Sequence, residues 1–197
     1  MQGSKISLSA AEMRLFNDAE IILTKNRILQ KTVALLSEVQ EVIVGEAEVR
    51  GSYFLPLPKI SKGENYSGLP YLILDYPRIS AGNDLLFIRS MFWWGNFFSS
   101  TLQLSGTYKQ QHLLKLIEAY GNLSSQNYFI GINQDPWIHH FEANNYRKIR
   151  ALSKKAFSAT LEEMPHIKIA AHWPLSDWDS AASKLSQSWR LFTGLTT

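Results

Sequence analysis

Asp135-Pro-Trp-Ile-His-His-Phe-Glu142 is the one stretch of this 197-residue sequence where imidazoles and carboxylates crowd together. On extended backbone, alternate side chains point to opposite sides, so His140 and Glu142 fall on one side and His139 on the other. A His-x-Glu pair so placed can supply two metal ligands, or a base with its orienting carboxylate. A metal site wants three or four ligands, and His112, His166 and His172 are scattered along the chain. No metal and no cofactor is expected from this pattern. Asp135, His139, His140 and Glu142 stand instead as a cluster that an enzyme of unfamiliar type could use.

A second group of candidates surrounds the run Arg89-Ser-Met-Phe-Trp-Trp-Gly-Asn-Phe-Phe-Ser-Ser100, which puts five rings into seven consecutive positions. Glycine before asparagine at 95–96 suits a two-residue reversal, which pairs Trp94 with Phe97 and Trp93 with Phe98. One side of the hairpin then carries Phe87, Arg89, Met91, Trp93, Phe98, Ser100, Leu102 and Leu104. The other carries Ile88, Ser90, Phe92, Trp94, Phe97, Ser99, Thr101 and Gln103. Arg89 is the misfit on the first side, because a guanidinium keeps its proton and must be paired when buried. Two readings are open. Arg89 pairs with Asp75 or Glu142 or stacks on Trp93, or it is held ready to grip an anionic ligand with two parallel hydrogen bonds. Trp94, Phe97 and Thr101, with Asp75 and Arg78 nearby in sequence, form the expected lining of a small-molecule cleft.

Arg147, Lys148, Arg150, Lys154 and Lys155 concentrate positive charge, and on a helix Arg147, Arg150 and Lys154 share a face that could lie against phosphates. Glu162 and Glu163 follow directly, however, and the whole chain carries a formal charge of only +3. Nucleic-acid binding is therefore not expected. The glycines never cluster as a nucleotide-binding loop requires, and neither the zinc-hydrolase nor the serine-hydrolase signature occurs. There are no cysteines, which removes disulfides, thiolate catalysis and thiolate metal sites and is compatible with the cytoplasm. The uncharged stretch from Ser90 to Tyr108 contains Gly95, Asn96, Gln103 and Gly106 and reads as sheet core rather than a membrane span.

These groups need elements to hold them. Hydrophobic residues make up 45% and charged residues 19%, a globular composition expected to form one domain over 1–197, with 1–8 unordered. Ser9 and Glu12 have the spacing of a capping box, and no Gly or Pro follows until Gly45. A long N-terminal helix, or two joined near Thr24-Lys25-Asn26, is predicted. Leu8, Leu15, Ile22, Leu29, Leu36 and Ile43 recur every seven residues along it, so it could also pair two copies of the chain. Pro56, Pro58, Gly63 and Gly68 mark 56–68 as a mobile surface loop. Strands are predicted over 71–76, 84–94, 97–104, 127–132 and 166–173, and helices over 107–120, from Asn144 or Asn145 to Leu161, and after Ser176. The fold class is α+β: an antiparallel or mixed sheet around an aromatic hairpin, packed by the long helix and three others. A binding module for a small ligand or a protein partner is the expected function. The alternative is an enzyme acting on a small anionic substrate through Arg89 and the 139–142 segment.

Overall fold

In the computed structural model, which describes residues 6–49 and 56–196, Ser9 and Glu12 form their capping box. The Glu12 amide donates to Ser9 Oγ at 3.2 Å and the Ser9 amide to Glu12 Oε2 at 2.7 Å. Residues 1–5 of the terminus expected to be unordered lie outside the described residues. Helix α1 (Ala10–Phe16) ends at Asn17, and Asp18 accepts the Glu20 amide at 3.0 Å to start α2 (Ala19–Val49). The joint thus comes earlier than Thr24-Lys25-Asn26, because short polar side chains at 17–18 compete for the backbone. Gly45 lies inside α2 rather than ending it; the burial of Val39, Ile43 and Ala47 around it outweighs the roughly 1 kcal/mol that a helical glycine costs.

The strands are β1 (Lys59–Tyr66), β2 (Leu69–Ala81), β3 (Asp84–Trp93), β4 (Phe97–Ser105), β5 (Phe129–Gly131), β6 (Tyr146–Lys148) and β7 (His166–Pro174). They make one seven-stranded antiparallel sheet in the order β1-β2-β3-β4-β7-β5-β6. Most of the segment expected to be a loop is therefore β1. It is an edge strand, and edges favour the lysines and glutamate (Lys59, Lys62, Glu64) that made it look like a loop. Ser67 and Gly68 both take positive φ, 51° and 80°, and turn β1 tightly into β2.

At the aromatic hairpin the turn has three residues rather than two. The Asn96 amide bonds to the Trp93 carbonyl at 3.1 Å, Gly95 takes a φ of +71°, and Trp93 stands opposite Phe97. This one-residue difference exchanges the two sides of β4 against β3, because side chains alternate with period two. One side of the sheet carries Leu86, Ile88, Phe92, Phe98, Leu102 and Leu104, packed with helix residues in the main core. The other carries Arg89, Met91, Trp93, Phe97, Ser99, Thr101 and Gln103. The expected grouping of Trp94 with Phe97 and Thr101 is overturned: Trp94 packs against the main core, away from Phe97.

The helices α3 (Gly106–Glu118), α4 (Tyr120–Ser125), α5 (Lys154–Glu163) and α6 (Trp178–Thr196) join α2 over the core side. From α2 the buried residues are Leu29, Thr32, Leu35, Leu36, Val39, Ile43 and Ala47, a largely apolar stripe at helical spacing. Trp189 of α6 is buried and satisfies its indole N–H on the Tyr76 carbonyl at 2.7 Å. The basic stretch is not one helical face: Arg147 is in β6, Arg150 in a 3₁₀ turn and Lys154 in α5, which Ser153 rather than Asn144 or Asn145 caps. Among the described residues no helix is long and apolar enough to cross a membrane.

Among the described residues, no helix packs on the opposite side of the sheet. The irregular segment 132–145 crosses it, with Trp137 against Phe87, His139 against Tyr66 and Phe141 against Phe97 and His172. Gly131 begins this crossing, and a Cβ there would stand 2.8 Å from Lys168 Cβ of β7. Gly131→Ala is thus expected to push β5 off β7 and destabilise the fold by roughly 1–3 kcal/mol. Urea unfolding checks this, and an unmoved midpoint would show that the strands part there without cost.

Candidate functional site

Arg89 of β3 stands directly opposite Asp75 of β2. Its Nε donates to Asp75 Oδ1 at 2.7 Å and its Nη2 to Oδ2 at 2.8 Å, a two-pronged ion pair that is nearly buried. Its third nitrogen, Nη1, lies 3.2 Å from His139 Nε2. Because arginine is always a donor, that imidazole nitrogen accepts, and the ring's proton belongs on Nδ1. The guanidinium carbon also lies 5.7 Å from the Trp137 ring centre. Of the partners weighed from the sequence, Asp75 is the one used, and Trp137 takes the stacking place expected of Trp93.

Tyr66, at the end of β1, ties the crossing segment down. Its hydroxyl accepts the amides of His139 at 2.6 Å and His140 at 3.2 Å, while its carbonyl accepts the Trp93 indole N–H at 3.1 Å. Between these groups lies a cleft of about 290 Å³ lined by Tyr66, Tyr71, Ile73, Arg89, Met91, Trp137 and His139. Burial holds the His139 imidazole far below its ordinary range, at about 3, and the nearby positive charges of Arg89 and Lys168 add to this. His139 is therefore neutral near pH 7.

Next to the cleft the same side of the sheet buries Lys168, in register with Gln103. Lys168 Nζ donates to the Ile138 carbonyl and lies 5.1 Å from the Tyr146 ring centre. Burial lowers its pKa to about 8, against the opposing pull of Asp135. His166 is likewise pushed down to about 4, chiefly by burial. Asn145, fully buried, holds the segment's curvature by donating to the carbonyls of Ile138 at 3.1 Å and His140 at 2.6 Å.

The sequence candidates thus divide. Asp75, Arg89 and His139 meet in one place. Thr101 is beside Arg89 on β4 and Phe97 forms the first pair after the turn, both buried on the cleft side without lining it. Trp94 is on the other side of the sheet, and Arg78 turns to the Leu57 carbonyl at 2.9 Å. Asp135 shapes its own turn by accepting the Trp137 amide at 2.8 Å. His140 Nδ1 lies 4.0 Å from Glu142, which is mostly exposed. Tyr66, Trp137 and Lys168 were not among the candidates. Lys168 left a readable signal, since a lone cation alternates with apolar residues in His-Ile-Lys-Ile-Ala; Tyr66 left none, sitting among glycines and charges.

Among the described residues no group of three or more His, Asp or Glu side chains could hold a metal ion. The chain matches no protein family, no curated protein and no solved structure.

Two pH effects follow. The fold favours the neutral Lys168 amine, so a penalty applies in full below pH 8 and lifts as the pH rises toward 10.5, where the unfolded chain also loses the proton. Lys168→Met leaves the Ile138 carbonyl its bond from Asn145, and it is expected to stabilise the protein at pH 7 by ~1–3 kcal/mol and to flatten that rise. At the acid end, the stability that neutral His139 contributes is complete above pH 6.5 and is lost as the pH falls toward 3. His139→Gln, which keeps an acceptor for Arg89, should shrink the acid loss. Urea midpoints measured from pH 3 to 10.5 test both, and parallel profiles for parent and variants would place these groups in water.

Proposed function

We propose that this chain is a non-catalytic binding module whose cleft takes a small planar molecule bearing a carboxylate or a similar acceptor. The observation that carries this reading is the arrangement of donors in the cleft. The three polar contacts of Arg89 engage three of its five N–H groups, so two remain for an acceptor. The Tyr66 hydroxyl accepts two amides and keeps its own proton to give. The walls are aromatic or aliphatic: Tyr71, Ile73, Met91 and Trp137. A volume of about 290 Å³ is at the small end for such sites, which suits one ring with an acid group.

The same geometry weighs against acid–base work. His139 is a poor base when burial and two cations hold it neutral down to about pH 3, and Asp75 is committed to Arg89. The enzymatic alternative on a small anionic substrate keeps one support, the convergence of Arg89 and His139 in one cleft. Turnover of any anionic substrate that His139→Gln abolishes would favour it. The absence of cysteine suits a reducing compartment, and we take the cytoplasm as the setting. A second association, between two copies through the N-terminal helices, is supported by the apolar side chains they expose.

Thermal-shift and calorimetric titration with benzoate, against benzyl alcohol as the uncharged control, tests the cleft. Benzoate is expected to raise Tm and to bind at least tenfold more tightly than the alcohol. Trp137→Ala, which removes a half-exposed wall and leaves the ion pair alone, should weaken benzoate at least tenfold. Equal binding of acid and alcohol, or full benzoate affinity in Trp137→Ala, would remove the cleft as its site.

A further inference from the structure

The seven-residue seam read from the sequence is split by the fold. Leu29, Leu36 and Ile43 are buried on the sheet, whereas Leu8, Leu15 and Ile22, the same seam further toward the N-terminus, stand 49%, 60% and 57% exposed. No residue of α1 is buried. Of the thirteen large apolar side chains exposed among the described residues, five lie between Ile6 and Phe16, the end of α1. A monomer rarely leaves so dense an apolar run in water.

The same chain offers a place for such a run. Two adjoining hollows, of about 340 and 270 Å³, share Ile28 and Trp94 and so form one groove at the tip of the aromatic hairpin. Phe92, Leu175 and Trp178 make the apolar walls of the smaller hollow, and Ile21 stands in the larger one among Asp18, Glu20, Thr24 and Lys25. Trp94 is thereby presented on the helix side of the sheet, while Trp93 faces the opposite side.

The charges select the occupant. Between Leu8 and Ile28 the acids Glu12, Asp18 and Glu20 are matched by Arg14, Lys25 and Arg27, so the segment is neutral although the chain is +3. A neutral apolar segment does not repel its own copy. It also lacks the lysine- and arginine-rich polar side with which an amphipathic helix holds an anionic membrane.

We infer that α1 of one chain docks in the hairpin-tip groove of a second copy, and that the second chain returns the same contact to the first about a two-fold axis. This rests on the reading above that the N-terminal helices associate, and it adds the receiving surface. Such an isologous pair covers both arms and both grooves at once.

Mass measurement by light scattering tests the association, and cross-linking tests the groove. The full chain is expected at twice 22.5 kDa, and Phe16→Asp on the arm or Ile21→Asp in the groove should return it to 22.5 kDa with an unchanged circular-dichroism spectrum. Because the chain has no cysteine, Leu15→Cys and Asn96→Cys chains can be mixed, and a disulfide between them reports arm against hairpin tip in different copies. A dimer that forms no mixed disulfide and survives Ile21→Asp overturns the groove while sparing the association. A monomer overturns both, and a monomer that sediments with phosphatidylglycerol vesicles assigns the arm to a lipid surface instead.

Discussion

A guanidinium that cannot lose its proton sits on the side of the sheet that residues 132–145 cross, and the arrangement around it follows from satisfying it. Asp75 meets it across β2 and β3 with two short hydrogen bonds, and His139 accepts from its remaining nitrogen. A buried pair of this kind gains little over apolar packing, but leaving either partner alone costs several kcal/mol, roughly 3–5. The pair therefore constrains what can cover it: the cover must bring an acceptor to Nη1 and a ring to the guanidinium surface. Residues 137–139 bring both, and Tyr66 holds them there through two backbone amides.

This requirement explains why the two sides of one sheet are covered so differently. On the core side the residues are Leu, Ile and Phe, which need only apolar area, and helices α2 and α6 supply it. On the other side Arg89 and Lys168 need carbonyls and side-chain acceptors. A helix uses its own carbonyls internally and has few to offer along its length. An irregular segment keeps them available: the Ile138 carbonyl takes both Lys168 and Asn145. Such a covering leaves gaps between its few anchor points, and the cleft is one of these.

The hairpin links the two surfaces. Trp93 lies under the crossing segment, and Trp94, the next residue, is part of the groove beside α2. With the turn at Trp94-Gly95-Asn96, a single tight reversal follows two neighbouring tryptophans that face opposite sides of the sheet.

Much was legible in the sequence alone. The α+β class, an antiparallel or mixed sheet around an aromatic hairpin, the N-terminal capping box and a carboxylate as one of two partners for Arg89 all follow from local patterns: hydrophobic period, cap chemistry, and the rule that a buried cation needs a partner. The failures share a cause. A three-residue turn and a two-residue turn have the same glycine signal, yet they place β4 in opposite senses, and only the packing of Phe98, Leu102 and Leu104 into the core chooses between them. The edge strand β1 carries the lysines, glutamate and glycine of a surface loop, so its sequence pattern resembles one. Tyr66, Trp137 and Lys168 are far apart in the chain, and it is the crossing of 132–145 over the sheet that makes them neighbours of Arg89. Short-range preference determined the elements; long-range satisfaction of buried polar groups decided the site.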